Sequence, residues 1–345
     1  MQNLMPVFNS KPGRKPLSSQ CRKQLLAMVQ AATPAATPAA TSAATPAATP
    51  AQMRIEPIPI LTTTVTPTTT ECFICGTVKN CAKHLKRVLT NMDKLGALFP
   101  GGYKIVLSCD KSTDKSANVI EMYKRARTAI TQTLDPNRII VYFNEDPLTP
   151  TRTINIAKAR NWCLDYIERL PESERPKYFI MMDCDDRCSM PIRTEPIAYY
   201  LSEERVEEWD GLSFNRNEYY DYWAFSKHPL TYSCWHFPGG HDIWKAYIQT
   251  MFAAAKPKTL IPVLSAFGGF AIYKTCVYGN CRYNGETAAC AAIIPADMMT
   301  ANIKRIGAPI QKMNTEDGDC EHRHFHYQAM LEHGARLFIA PEKIW

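Results

Sequence analysis

Long apolar runs are absent from this 345-residue sequence, although 46% of its residues are hydrophobic. No stretch of 18 or more apolar residues occurs, so we expect no transmembrane helix. Two glycine motifs are missing as well. The lack of G-x-G-x-x-G disfavours an NAD-linked dehydrogenase, and the lack of G-x-S-x-G disfavours a serine hydrolase with a nucleophile elbow. The apolar content is enough for one large core or two small ones.

Cysteine pairs at metal-binding spacing are scarce. The thirteen cysteines are an odd number scattered along the chain, a pattern typical of reduced thiols in a cytosol-like compartment rather than of a disulfide framework. Cys72 and Cys75 form one C-x-x-C pair, but it lies in a β-type run without a second pair to complete a zinc site. We therefore predict that both are core cysteines and that the protein is cytoplasmic.

Acidic residues are absent from residues 1–30, which carry five Lys or Arg residues and lack an unbroken apolar segment of the secretory type. This stretch holds +5 of the formal net charge of +7, so the rest of the chain is nearly balanced at +2. A basic tail alone is a weak signal for polyanions, and we expect no nucleic-acid binding. The stretch fits either an organelle transit peptide or a disordered tail.

A four-residue repeat follows this basic stretch. Residues 31–51 read AATPAATPAATSAATPAATPA, and the Pro- and Thr-rich composition continues to Thr70. Recurrent Pro breaks helices, and Ala and Thr offer too little bulk to build a core. We predict that residues 1–70 are a disordered tail and linker and that residues 71–345 form the folded domain.

Strand-like and helix-like segments alternate from residue 71 onward. Such alternation predicts right-handed β-α-β crossovers and a mostly parallel sheet with helices on both faces. The text after residue 186 is aromatic and less regular, and we interpret it as a smaller half of the same domain. The predicted strands are 71–78, 103–110, 138–145 and 177–186, and the predicted helices are 79–99, 116–130 and 155–170.

Each predicted strand ends in polar or small residues, and the fourth ends in acids. In open α/β sheets, ligands bind at the carboxyl ends of the strands, so we expect these ends to form one site. Asp183 and Asp185 alternate along the strand and should project to the same side, with Cys184 pointing to the other. Carboxylate oxygens are the ligands that Mg²⁺ and Mn²⁺ prefer. The D-x-D sequence therefore predicts a divalent metal site with positions left open for phosphate oxygens.

Five segments in order make the sequence similar to the GT-A nucleotide-sugar glycosyltransferases. They are SCDKSTDKS after the second strand, AKARN before the fourth, the D-x-D itself, and SAFGGFAIYK followed by TEDGDCEHR. The last segment, with GARLFIAP after it, also resembles GT-A-like enzymes of large viruses and bacteria. The resemblance covers about residues 71–341. It implies a GT-A-like mixed, mostly parallel sheet flanked by helices with a smaller acceptor-side half, and transfer of a sugar from a nucleotide-diphosphate donor to a hydroxyl.

The resemblance also implies which residues contact the donor. Asp110 would lie near the nucleotide base, and Arg160 would either approach the diphosphate or brace the Asp183 strand. Gly268 and Gly269 would let the backbone approach the sugar closely, since glycine has no Cβ. The full set implied for donor binding is Thr77, Asp110, Arg160, Asp183, Gly268 and Gly269.

The late acids supply the catalytic residues that the resemblance implies. In an inverting transferase a carboxylate takes the proton from the attacking hydroxyl. Asp317 is the best match to the family's base, with Asp319 and Glu321 as rivals. A late histidine often joins the metal site in this family, and His322 is the candidate beside Asp183 and Asp185. The implied cofactor is Mn²⁺ or Mg²⁺, and the implied partners are a nucleotide sugar and a glycan or other hydroxyl acceptor.

Two other functions remain open on the sequence. A nucleotidyltransferase that makes nucleotide sugars shares the sheet, but it favours a glycine-rich basic loop after the first strand, where GTVKNCAKH has one glycine. A catalytically silent carbohydrate-binding protein of the same fold predicts loss of the D-x-D or of the late acids, and both are present. Among the aromatic residues of the second half, Trp223 or Trp235 is a candidate for the acceptor cleft.

Overall fold

The computed structural model describes residues 70–130, 138–310 and 318–345. The predictions for the basic tail, for the repeat linker as far as residue 69 and for Asp317 therefore lie outside the described residues. In the described ranges, no helix combines the length and apolar character needed to cross a membrane.

The strands of the described residues belong to one sheet. They are β1 (Cys72–Val78), β2 (Tyr103–Asp110), β3 (Ile139–Asn144), β4 (Tyr178–Asp183), β5 (Gly211–Asn215), β6 (Ile261–Pro262), β7 (Phe270–Lys274) and β8 (Leu337–Lys343). Their order across the sheet is β3-β2-β1-β4-β7-β5-β8-β6.

The α-helices lie between these strands and flank the sheet. They are α1 (Ala82–Gly96), α2 (Ser116–Ile130), α3 (Arg152–Glu168), α4 (Glu195–Tyr200), α5 (Gly240–Ala254), α6 (Thr275–Tyr278), α7 (Thr287–Ala292), α8 (Ala296–Ile306) and α9 (Glu321–His333).

The first half of the sheet is parallel, as predicted. Strands β3, β2, β1 and β4 are neighbours and run in the same direction. The second half continues the same sheet: β7 is antiparallel to β4 and β5, β8 is parallel to β5, and β6 is antiparallel to β8. The expected mixed, mostly parallel α/β sheet flanked by helices is confirmed.

Side chains of β4 alternate between two cores, one on each face of the sheet. Phe179 and Met181 pack into one core, and Ile180 and Met182 pack into the other. A parallel strand that is buried on both faces reads as a continuous apolar run, which is why YFIMM contains no polar residue. The two cores enclose the strand up to Asp183, where the acidic segment begins.

Helix α1 covers one of these cores with the residues that its periodicity predicts. Five apolar side chains are fully buried: Leu85, Val88, Leu89, Met92 and Leu95. The C-x-x-C prediction is also confirmed, because Cys72 and Cys75 are free thiols on β1 with no exposed surface. Burial raises the pKa of both thiols well above the ordinary value, so they are inert core residues.

Candidate active site

Polar side chains from neighbouring parallel strands meet at one edge of the sheet. Thr77 near the end of β1 pairs with Ser108 of β2 on one side and with Asp183 of β4 on the other. Asp110, the last residue of β2, pairs with Asn144 of β3 and accepts a hydrogen bond from its Nδ2 at 2.8 Å. The expected convergence of the strand ends is therefore observed.

The loops that follow β1 and β2 are tied together above this edge. The side chain of Asn80 accepts a hydrogen bond from the backbone N–H of Thr113 at 2.7 Å. In the reverse direction, the hydroxyl of Ser116 accepts one from the backbone N–H of Cys81 at 2.8 Å. Asn80 has a φ of 53°, a left-handed conformation that asparagine adopts more readily than most residues. These bonds fix the backbone on both sides of the β1 and β2 ends, where Asp110 lies.

The two acids of the D-x-D sequence lie on either side of the end of β4. Asp183 is the last residue of the strand, and Asp185 caps the short 3₁₀ turn Asp186–Cys188 by accepting the Arg187 N–H at 2.9 Å. Cys184, between them, is buried in the same core as Ile180 and Met182. Burial, and then the negative charge of Asp183, raise the pKa of Asp185 to about 7. The fold thus holds two carboxylates close enough to repel one another.

Arg160 of helix α3 connects the end of β4 to the start of helix α9. Its guanidinium donates a hydrogen bond to Asp183 Oδ1 at 2.9 Å and another to Glu321 Oε1. Burial alone would lower the pKa of Arg160, but Glu321 and Asp183 raise it. Arg160 is buried, so it is not a helix-surface residue, and its contacts place it as a brace for Asp183. Its contact with a diphosphate stays a prediction.

His322, the predicted third metal ligand, is engaged by the same arginine. Its Nε2 faces a guanidinium nitrogen of Arg160, and because arginine only donates, this nitrogen accepts the hydrogen bond. Burial, then Arg160 and His326, lower the pKa of His322 well below the ordinary value. The imidazole is therefore neutral, with its Nε2 lone pair directed at a cation, and it stacks on Phe267 with ring centroids 3.7 Å apart.

The glycine pair is required by the protein's own packing. Gly268 and Gly269 have φ values of 66° and 86°, a conformation that favours glycine. A Cβ on Gly269 would lie 2.9 Å from the Tyr220 hydroxyl and 3.2 Å from Arg216 Nη1. Tyr220 in turn donates a hydrogen bond to Asp183 Oδ2 at 3.3 Å. The glycines therefore let Tyr220 and Arg216 approach the D-x-D strand, and their contact with a sugar stays a prediction.

Asp221 is a carboxyl at this site that the sequence analysis did not identify. It accepts hydrogen bonds from the backbone N–H of Gly268 at 3.0 Å and of Ala224 at 3.3 Å. Burial raises the pKa of Asp221 to about 6, with further contributions in the same direction from Asp183 and Glu321. Its only sequence signal is its position in the aromatic segment NEYYDYWAF, which also contains Glu218. It forms no ion pair with any residue that the structure describes.

Asp319 and Glu321, the two described late acids, are both held in ion pairs. Asp319 has no exposed surface; its Oδ1 accepts hydrogen bonds from Arg323 and from the ring nitrogen of Trp223, each at 2.9 Å. Burial alone would raise the pKa of Asp319, but Arg323 and His236 lower it. Glu321 is paired with Arg160 as described above. These contacts attach the aromatic loop after β5 to helix α9, and a catalytic role for either acid stays a prediction.

The two candidate acceptor-side tryptophans have different surroundings. Trp223 is anchored to the buried Asp319. Trp235 is partly exposed and stacks on the imidazole of His241, with ring centroids 5.1 Å apart. His241 also meets the edge of Tyr222 at 5.1 Å. Both tryptophans are partly exposed, and Trp235 is the one that stacks on His241.

Asp183 and Asp185 form a carboxylate pair that suits a divalent ion. In the described residues, no group of three or more His, Cys, Asp or Glu side chains is arranged to hold a metal. Asp183 and Asp185 nevertheless repel one another, which a shared cation would relieve. A carboxylate pair is a usual protein contribution to a Mg²⁺ site that binds phosphates. A metal at this position would take its other ligands from water and from substrate.

Comparisons with known proteins give only distant likenesses. No protein-family model and no curated protein matches the chain. Among solved structures, S. aureus TarS 1-349 is 14% identical over 79% of this chain and 59% of its own, with a TM-score of 0.39. Its complex with UDP-GlcNAc is 14% identical over 79% of this chain and 57% of its own, with a TM-score of 0.42. The mannosyltransferase PcManGT from Pyrobaculum calidifontis, in complex with GDP-Man and Mn²⁺, is 10% identical over 80% of this chain and 58% of its own, with a TM-score of 0.39. The chain thus spans a little over half of the length of these proteins.

Proposed function

We propose that this protein is a metal-dependent glycosyltransferase of the D-x-D type. It moves a sugar from a nucleotide-diphosphate donor to a hydroxyl acceptor. The observation that carries the proposal is the meeting of Asp183 and Asp185 with Thr77 and Asp110 at the carboxyl edge of parallel strands. This edge is where open α/β sheets bind nucleotides. Fixed loops on one side and a repelling carboxylate pair on the other suit a ligand that has a neutral end and a diphosphate end.

Asp183 and Asp185 are the residues that would hold the Mn²⁺ or Mg²⁺ ion. When bound, the ion neutralises the diphosphate and acts on it as a Lewis acid. The Asp183 carboxylate is already oriented by Arg160 and Tyr220, so little rearrangement is needed to present its remaining lone pairs. We leave His322 out of the ligand set because its Nε2 accepts from Arg160.

The nucleoside end of the donor fits the fixed loops after β1 and β2. Asp110 lies at the end of β2, 7% exposed, with one oxygen held by Asn144 and the loops around it cross-linked. A carboxylate in such a fixed position can accept hydrogen bonds from a base or ribose. Thr77, on the neighbouring strand, would contact the same part of the donor.

An inverting displacement needs a carboxylate to take the acceptor proton. Asp317 is the residue that the sequence pattern assigns to this role, and it lies outside the described residues. Asp319 and Glu321 are held in ion pairs, which supports Asp317 over its two rivals. Asp221 is a second candidate, because it has no ion pair among the described residues and its pKa is about 6. A base with a pKa near the working pH is the most effective kind.

A donor screen tests the proposal. Nucleotide release is measured with a panel of UDP-, GDP-, CDP- and ADP-sugars in the presence of Mn²⁺ or Mg²⁺, and again with EDTA. We expect hydrolysis or transfer with one nucleotide sugar, and loss of this activity with EDTA and in Asp185→Ala. Full activity with EDTA and in the variant would remove the metal from the mechanism. Asp317→Asn should lose turnover while retaining donor binding; if Asp221→Asn alone behaves in this way, the base is Asp221.

A further inference from the structure

Three arginine side chains surround the Asp183 end of β4. Arg160 reaches it from helix α3, and Arg187 and Arg216 lie with their guanidinium carbons 4.6 and 4.9 Å from the ring centroid of Tyr220, whose hydroxyl donates to Asp183. A site that binds a diphosphate needs cations whose N–H donors are not already used by carboxylates or carbonyls of the protein. The three arginines differ in this respect.

Arg160 and Arg216 are engaged by the protein. Arg160 forms ion pairs with two carboxylates. Arg216, which is 8% exposed, donates to the backbone carbonyl of Gly268 at 2.9 Å and to the backbone carbonyl of Arg187. Its guanidinium also lies against the Trp345 ring, 4.8 Å from the ring centroid. Arg216 therefore braces the glycine turn and the segment after the D-x-D sequence.

Arg187 is held by its backbone, whereas its guanidinium has no acceptor among the residues that the structure describes. Its N–H donates to Asp185 Oδ1 at 2.9 Å, and its carbonyl accepts from Arg216. Its Nε is buried without a hydrogen-bond partner. In the part of the chain that the structure describes, the guanidinium forms no ion pair, and it lies over the ring of Tyr220. A buried donor without an acceptor is unfavourable, so this geometry suits a group that completes its hydrogen bonds with a ligand.

We infer that Arg187 binds the diphosphate of the nucleotide and stabilises it as the leaving group. This inference rests on the proposed function. The Arg187 backbone is attached to Asp185, so a diphosphate beside the carboxylate pair comes within reach of the guanidinium, whose planar fork matches phosphate oxygens. In the transfer step, the bond between the anomeric carbon and the diphosphate oxygen breaks, and its electron pair stays on that oxygen. The acceptor oxygen forms the new bond to the anomeric carbon, and its proton passes to the carboxylate base. Arg187 then faces one additional negative charge on the diphosphate.

Binding measurements on the full chain test this inference without turnover. Calorimetric titrations use the nucleoside diphosphate found in the donor screen, the matching monophosphate and the nucleoside, each with and without Mn²⁺. The variants are Arg187→Gln, which removes the charge, and Arg187→Lys, which keeps it. Arg193→Gln is the matched control, because Arg193 is exposed on the same connection between β4 and α4. We expect Arg187→Gln to weaken diphosphate binding at least tenfold and to leave nucleoside binding unchanged. Arg187→Lys should retain part of the diphosphate affinity that Arg187→Gln loses.

Other results overturn the inference in distinguishable ways. If the wild-type protein binds UDP, GDP, CDP or ADP but Arg187→Gln binds the same diphosphate equally well, Arg187 has no role at the phosphates. If Arg187→Gln weakens diphosphate and nucleoside binding to the same extent and lowers Tm, the side chain only supports Tyr220. If the wild-type protein binds none of these nucleotides, the proposed function fails, and this inference fails with it.

Discussion

Loss of the Arg160 side chain should strongly lower the stability of the site. Its side chain is 5% exposed and donates to Asp183 and Glu321, whose side chains are 22% and 7% exposed. Arg160→Met keeps most of the apolar volume but leaves two carboxylates without their cation. Removing one partner of a buried ion pair costs about 3–5 kcal/mol, a large part of a typical unfolding free energy of about 5–15 kcal/mol. We therefore expect Arg160→Met to lower the free energy of unfolding by about 3 kcal/mol or more.

Urea denaturation followed by tryptophan fluorescence measures this effect. The double variant Arg160→Met/Glu321→Met should be more stable than Arg160→Met, because an apolar pair replaces an unpaired buried charge. Lys111→Met is the control, since Lys111 forms an ion pair with Glu145 in which the two side chains are 69% and 74% exposed. Pairs of this kind contribute about 0–1 kcal/mol, so we expect little change.

The reasoning about Arg160 is refuted by either of two results. One is a decrease in the free energy of unfolding of less than about 1 kcal/mol in Arg160→Met, which is the range of an exposed ion pair, with an unchanged dependence on urea. The other is a double variant that is no more stable than Arg160→Met, which would show that the uncompensated charge of Glu321 is not the cause.

Three further predictions follow from the described geometry and the sequence. The pKa of Asp221 is about 6 in the folded protein against an ordinary 3.8, so between these pH values the folded state keeps a proton that the unfolded state has released, and stability falls as pH rises. Asp221→Asn should abolish this fall and stabilise the protein at pH 7 by up to ~3 kcal/mol in urea titrations. An unchanged pH profile of stability in the variant would contradict the shifted pKa. Gly269→Ala should lower Tm, because its Cβ would lie 2.9 Å from the Tyr220 hydroxyl and its φ is 86°. The same change in a Tyr220→Phe background should lower Tm by less, and equal losses of Tm in both backgrounds would show that the contact with the hydroxyl is not the cause. Deletion of residues 1–60 should leave nucleotide-release activity intact, since this sequence cannot build a core, and loss of activity without loss of folding would assign the tail a role.

The first half of the fold could be predicted from the sequence because its elements are long and regular. Strand β2 and helix α2 have the predicted bounds, and the apolar positions of α1 are all buried. The second half could not be divided in the same way. Strands β5 and β7 have five residues each and β6 has two, and the aromatic text around them shows no clear period. Their positions in the sheet depend on contacts between segments that are distant in the sequence.

The candidate site was predictable only where strand ends carry the functional side chains. The position of Asp183 follows from the end of a buried strand, as does that of Asp110. The roles of Arg216 and Asp221 depend on a loop that folds back over the glycine turn, and no local pattern reveals this. For the same reason, the sequence could not show that Glu321 is paired with a residue 161 positions earlier.

A crystal structure of the protein with Mn²⁺ and the nucleotide sugar found in the screen tests the central claim most directly. The account predicts an ion bound to the carboxylates of Asp183 and Asp185, with the diphosphate next to it and the nucleoside near Asp110. A fully occupied nucleotide with no ion beside Asp183 or Asp185, or a nucleotide bound away from the carboxyl ends of β1, β2 and β4, would contradict it.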